Sequence, residues 1–165
     1  MHQSIFPLRL PFMASILTLA CAGPVLAQAE ACVDPNTRQV DQHATDTWLQ
    51  MSQRADPGLM GQMAGTWYIE IRNQLNAQID QQYQRFSADG FFDYHSHVCD
   101  TSTGGCNDYS GQGNYAVMAM GDGSMQFMTI VSDLNRDRQC SGSAARFVDA
   151  NTLQLSTGEL MKRTQ

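Results

Sequence analysis

Two histidines and two cysteines, His95, His97, Cys99 and Cys106, fall within sixteen positions in FFDYHSHVCDTSTGGC, residues 91–106. If this stretch is a β-strand, alternate residues share a face, so His95, His97 and Cys99 line up together while Phe92, Tyr94 and Val98 take the other side. Three such donors, with Cys106 as a fourth, suit zinc or copper as long as the thiols are reduced. The same residues also read as a strand running into a disulfide-pinned loop, with the histidines on a polar face. A sulfur held in a disulfide is not a thiolate ligand, so the redox compartment decides between the two readings.

The amino terminus supplies that compartment. It carries His2 and Arg9, then an apolar run from Phe12 to Ala22, then Gly23 and Pro24, which is the layout of a secretory signal peptide. The run of about a dozen residues is too short to span a hydrocarbon core of about 30 Å as a helix. Ala27 and Ala29 form an A-x-A cleavage signal before Glu30, with Val25-x-Ala27 as a competitor. Cys21 matches a lipidation site poorly, because Thr18 stands where such a site needs an aliphatic residue. Residues 1–29 are read as a signal peptide and the protein as periplasmic or secreted, with no membrane span after cleavage.

Cleavage removes Cys21 and leaves Cys32, Cys99, Cys106 and Cys140, an even set that predicts two disulfides. Of the three pairings allowed, spacing favours Cys99 with Cys106 and Cys32 with Cys140. The first closes a short loop and contributes about 2.5 kcal/mol in the chain-entropy model; the second closes a long one and contributes about 5 kcal/mol. The metal reading of His95 and His97 is thereby demoted to third among the functional expectations.

Other chemistry is sparse. Met118 and Met120 share a strand face and thioethers suit Cu(I), but methionines in an apolar strand are core filler. Asp133, Asn135 and Asp137 open a calcium-loop pattern that fails at its sixth and twelfth positions, where Arg138 and Ala144 stand. No nucleophile elbow and no phosphate-cradling loop is present. Asp89, Asp93 and Asp100 cluster near one hairpin without a separation that sequence can define. The expectation is a protein with no catalytic residues and no cofactor. Sixteen carboxylates face eight arginines and one lysine after cleavage, which disfavours nucleic acid and leaves a basic protein as a candidate partner.

Val40, Ala44, Trp48 and Met51 recur at near-helical spacing and predict an amphipathic helix over residues 36–54, with Asp34 as its cap and Pro35 in its first turn. Asp56 and Pro57 restart a short helix through Met60 and Met63. Beyond Gly65 the period becomes two. Runs at 66–72, 78–86, 91–98, 113–120, 125–134, 138–148, 153–156 and 159–163 are separated by turn signals such as SADG and GDGS, with a long loop carrying both cysteines between the third and fourth. The expectation is a mainly β, antiparallel meander of about eight strands that closes on itself to remove its edges. Residues 30–64 form the helical segment and residues 65–165 the barrel, together one globular domain.

The stretch MAGTWYIEI, residues 63–71, resembles the opening of the lipocalin and calycin family: a short helical turn, Gly-x-Trp, then the first barrel strand. The resemblance implies a small barrel in which Gly65 and Trp67 close one end and Arg163 lies over the tryptophan. It also implies a non-enzymatic binding role, with a small apolar or amphipathic ligand held in the barrel mouth by Trp67, Tyr83, Phe92, Tyr94 and Phe127. A second stretch, YSGQGNYAVMA at 109–119, is similar to the Ser-Gly and Tyr segment of the periplasmic inhibitors of C-type lysozyme. That likeness implies the runner-up, a protein-protein inhibitor or envelope accessory factor.

Overall fold

The computed structural model describes residues 31–73, 75–132 and 138–164. The signal peptide at 1–29, Cys21, and the Asp133, Asn135 and Asp137 turn lie outside them. Two helices come first, α1 (Gln42–Gln53) and α2 (Pro57–Met63). The first begins later than the spacing predicts, and Asp34 is not its cap. The Asp34 carboxylate instead accepts from the backbone N–H groups of Asn36 and Thr37, holding a turn in which Arg38 has φ +59°. A left-handed residue cannot continue a helix, so the chain doubles back through a Val33–Val40 bridge. Asp41 then caps α1 by accepting from the Ala44 N–H. Asp56 caps α2 as expected, with Pro57 at the first position.

Eight antiparallel strands follow in meander order and close into a barrel: β1 (Gly65–Asn73), β2 (Gln78–Phe86), β3 (Phe91–Asp100), β4 (Cys106–Ala119), β5 (Met125–Ser132), β6 (Arg138–Asp149), β7 (Thr152–Leu155) and β8 (Leu160–Arg163). The segment expected to be a long cysteine-bearing loop is a hairpin: β4 starts at Cys106, directly opposite Cys99. Its first half, CNDYSGQG, lacks apolar alternation because glycines occupy inward positions 111 and 113. At Gly113 the neighbouring strand approaches so closely that an added Cβ would lie 1.8 Å from the Ile130 carbonyl oxygen. Glycine at a barrel corner serves this purpose.

Cross-strand partners share a face of the sheet, so the register sorts side chains into lumen and exterior. Trp67 is fully buried and faces inward; its row continues through Gln84 and Tyr94 to Gly111. The next inward rows are Ile69, Gln82, Ser96 and Tyr109, then Ile71, Asp80, Val98 and Asn107. The strands β1 to β4 extend past the short closing strands, since among the described residues β8 pairs with β1 at Trp67 and Tyr68. Closure is therefore confined to one end, and β1–β4 project beyond it.

Two apolar clusters result. One fills the closed end of the lumen with Trp67, Ile69, Phe86, Phe92, Tyr115 and Phe127 among others, and α2 contributes Met63, Leu59 and Met60 to it. The other lies outside, where Trp48 and Met51 of α1 pack on the outward Ala116, Met128 and Ile130. The Cys32–Cys140 disulfide fastens the amino-terminal segment to this outer face. Among the described residues no helix is long and apolar enough to cross a membrane.

Candidate binding site at the barrel mouth

The closed end is built around Trp67. Its indole N–H donates to the Met63 carbonyl at 2.7 Å, and the Arg163 guanidinium stands 4.5 Å from the ring centroid. Arg163 also donates to the carbonyls of Ala64 and Gln62, satisfying the carboxyl end of α2. Gly65 has φ +131°, and a Cβ there would come within 2.8 Å of the Arg163 Nη1. The glycine, tryptophan and arginine thus meet at one end of the barrel. Above them the rings of Phe86, Phe92, Tyr115 and Phe127 pack on one another, with centroids between 4.9 and 6.4 Å from that of Phe86. Trp67, Phe92 and Phe127, expected to face a ligand, are instead buried in this closed end, the floor of the lumen.

Above the floor the lumen becomes polar. Alternate inward positions of β2 form a chain: Gln84 Nε2 donates to Gln82 Oε1 at 2.7 Å, and Gln82 Nε2 donates to Asp80 Oδ2 at 2.6 Å. The buried Ser96 hydroxyl donates to the other oxygen of Asp80 at 2.5 Å. Tyr94 stacks on Phe92, and only a hydrogen at 111 leaves room for its ring, since a Cβ there would lie 2.7 Å from it. Burial, and then the negative charge of Asp80, push the Tyr94 phenol above its ordinary value. Ile71 and Val98 supply apolar surface beside these groups, and the exposed Tyr109 stands at the rim.

Tyr83, expected at the mouth, is not there. It shares a strand with Gln82 and Gln84 but has the opposite phase, so it faces outward beside Tyr68, at 5.1 Å between centroids, away from the mouth. The two histidines also face outward. Asp108 of β4 sits between them, with Oδ1 2.7 Å from His97 Nδ1 and 3.7 Å from His95 Nε2. The hydrogen bond from His97 holds the Asp108 carboxyl below the usual range. His97, Cys99 and Cys106 bring their donor atoms within 4.8 Å of one another, yet the two sulfurs are joined as a disulfide. Met118 and Met120 do not share a strand face as the alternation suggests: Met118 packs at the α1 interface, and Met120 lies past the end of β4. A shallow outer hollow of about 780 Å³ is lined by Tyr83, Arg85, Asp93 and His95 among others, with Arg85 paired to Asp93 at 2.6 Å.

Set beside family models, curated proteins and solved structures, the chain finds no match.

The residues that sequence reasoning missed are Asp80, Gln82, Gln84 and Ser96. The signal was there in the phase of QIDQQYQRF. Phe86 is the inward anchor, so the even-numbered polar residues before it point inward with it, whereas Ile79 and Tyr83 fall on the other face.

Proposed function

We propose that the protein is an exported, non-enzymatic binding protein whose barrel mouth takes a small amphipathic molecule with a neutral or cationic polar end. The observation that carries this reading is the inward chain Gln84, Gln82, Asp80 and Ser96 set above an aromatic floor. A lumen that serves packing alone is apolar, because each polar group drawn out of water costs stability unless it is hydrogen-bonded. Here the polar groups hold one another in place at the edge of the buried region, ready to exchange partners with a ligand. The aromatic floor is already filled by its own rings, so the ligand sits on it and does not replace it. The carboxylate of Asp80 repels an anionic head and attracts a hydrogen-bond donor or a cation. Export is supported by the two disulfides and by the amino-terminal layout. Native mass spectrometry of protein purified without denaturation tests the reading: one equivalent of bound small molecule, or uptake of one equivalent of Nile red with a blue-shifted emission, is expected. An empty protein that leaves Nile red emission unchanged contradicts it.

A second reading rests on the outer hollow. Its exposed Tyr83 and His95, together with an excess of carboxylates over cations, suit a basic protein partner such as a C-type lysozyme. Full lysozyme activity in the presence of a stoichiometric excess of this protein removes that reading.

A further inference from the structure

The Cys99–Cys106 disulfide differs from Cys32–Cys140 in what surrounds it. Cys32 is buried with Trp48 and Met51 under α1. Cys99 and Cys106 instead face each other at the neck of the β3–β4 hairpin, where Cys106 and the turn at residues 101–105 are exposed. One row further along the same outer face lies the His97 and Asp108 pair. His97 Nδ1 is 2.7 Å from the Asp108 carboxylate, and His97 Nε2 is 3.2 Å from Cys99 Sγ. A carboxylate that accepts the Nδ1 hydrogen fixes the tautomer, leaving the Nε2 lone pair directed at the sulfur. The order carboxylate, imidazole, sulfur is the arrangement that activates a cysteine nucleophile, with the base oriented by a third group.

We propose that the Cys99–Cys106 pair is a thiol–disulfide exchange site, with His97 as its proton acceptor and Asp108 as the residue that positions His97. An incoming thiol from a dithiol reductant loses its proton through solvent to His97 Nε2, which lies against the leaving sulfur of Cys99, and attacks the exposed sulfur of Cys106 in line with the Cys99–Cys106 bond. The Cys99–Cys106 bond breaks as the new sulfur–sulfur bond forms, and Cys99 leaves as a thiolate beside the imidazolium. The second thiol of the reductant then attacks the mixed disulfide, releases Cys106, and passes its proton to that sulfur. The dithiol loses two electrons and two protons and becomes a disulfide; the hairpin gains both. In the reverse direction Cys106 attacks a substrate disulfide to form the mixed disulfide and releases one substrate thiol, and the Cys99 thiolate then attacks the Cys106 sulfur, closes the Cys99–Cys106 bond and releases the second. A thiolate stabilised by a neighbouring imidazolium is both the better leaving group and the species that reacts at neutral pH. Neither step involves the barrel mouth, so the site is independent of ligand binding there.

Dithiothreitol is the probe. At neutral pH it should reduce Cys99–Cys106 at least about tenfold faster than the buried Cys32–Cys140 bond while near-ultraviolet circular dichroism keeps its folded signature. The singly reduced protein is then alkylated with iodoacetamide across a pH series, with the two cysteines resolved by peptide mass. Cys99 should react with a midpoint about one pH unit or more below that of Cys106 in the same molecule, and His97→Gln should remove the difference. Asp108→Asn should raise the Cys99 midpoint part of the way. Equal midpoints for Cys99 and Cys106 in the wild-type protein, or reduction of both disulfides together only on unfolding, would overturn the proposal. The comparison within one molecule holds even if a variant fails to fold.

Discussion

Arg163 does three things at once: it lies over the Trp67 ring and donates to two carbonyls at the end of α2. Arg163→Leu keeps apolar bulk but leaves those carbonyls without their donor, so it should cost about 2–3 kcal/mol in urea unfolding. Arg163→Lys should recover only part of that, because a point charge cannot reach two acceptors as a planar fork does. Tyr115 makes a second residue-scale prediction. Its hydroxyl donates to the Ser87 carbonyl at 2.8 Å, and burial pushes its phenol up to about 12. An unfolded tyrosine ionises near its ordinary value of 10. The stabilisation is therefore fully present below pH 10 and is lost as pH rises from 10 to 12, because only the unfolded chain gives up its proton in that window. The loss should amount to about 3 kcal/mol. Tyr115→Phe should flatten that part of the stability profile. The two conspicuous histidines were legible as outward-facing from alternation alone. Asp108, which joins them, was not, because its place beside them depends on where β4 begins.

At the scale of elements, β4 carries the heaviest constraint. Gly113→Ala would drive a Cβ into the Ile130 carbonyl of β5, and it should destabilise the protein by about 3 kcal/mol or more, read from the denaturation midpoint. Gly121→Ala, in a turn where an added Cβ meets nothing within 4 Å, should change stability by less than about 0.5 kcal/mol. The contrast explains which elements the sequence discloses. Strands with an apolar inward set, such as Trp67, Ile69 and Ile71 of β1, announce themselves by period. The first half of β4 has Asn107, Tyr109, Gly111 and Gly113 at its inward positions and polar residues between them, so its local pattern reads as loop and only pairing with β3 makes it a strand. The same logic applies to α1: apolar spacing reached back as far as Val40, but a turn held by Asp34 and a left-handed Arg38 stop the helix short. Trp48 anchors that helix to the outside of the barrel, and Trp48→Ala should cost about 3 kcal/mol.

For the molecule as a whole, the meander order, the eight strands and the disulfide pairing could be reached from period, turn signals and cysteine spacing. The inward phase of Asp80, Gln82 and Gln84 follows from Phe86 within one strand, but their place above an aromatic floor does not, because it depends on the registers of β1, β2 and β3 taken together. The Cys32–Cys140 bond spans 108 residues and ties the helical segment to β6. Replacing both cysteines by serine should lower stability by about 5 kcal/mol, measured by urea unfolding. The polar mouth is what the functional account depends on, and calorimetric titration with octylammonium and octanoate tests it most directly. The two share a chain length and differ in the charge of the head. Octylammonium should bind with one site and about tenfold or more above octanoate, and Asp80→Asn should erase that preference while leaving the fold intact. Equal affinity for the two, or a preference that survives Asp80→Asn, would contradict a ligand site at the mouth of this barrel.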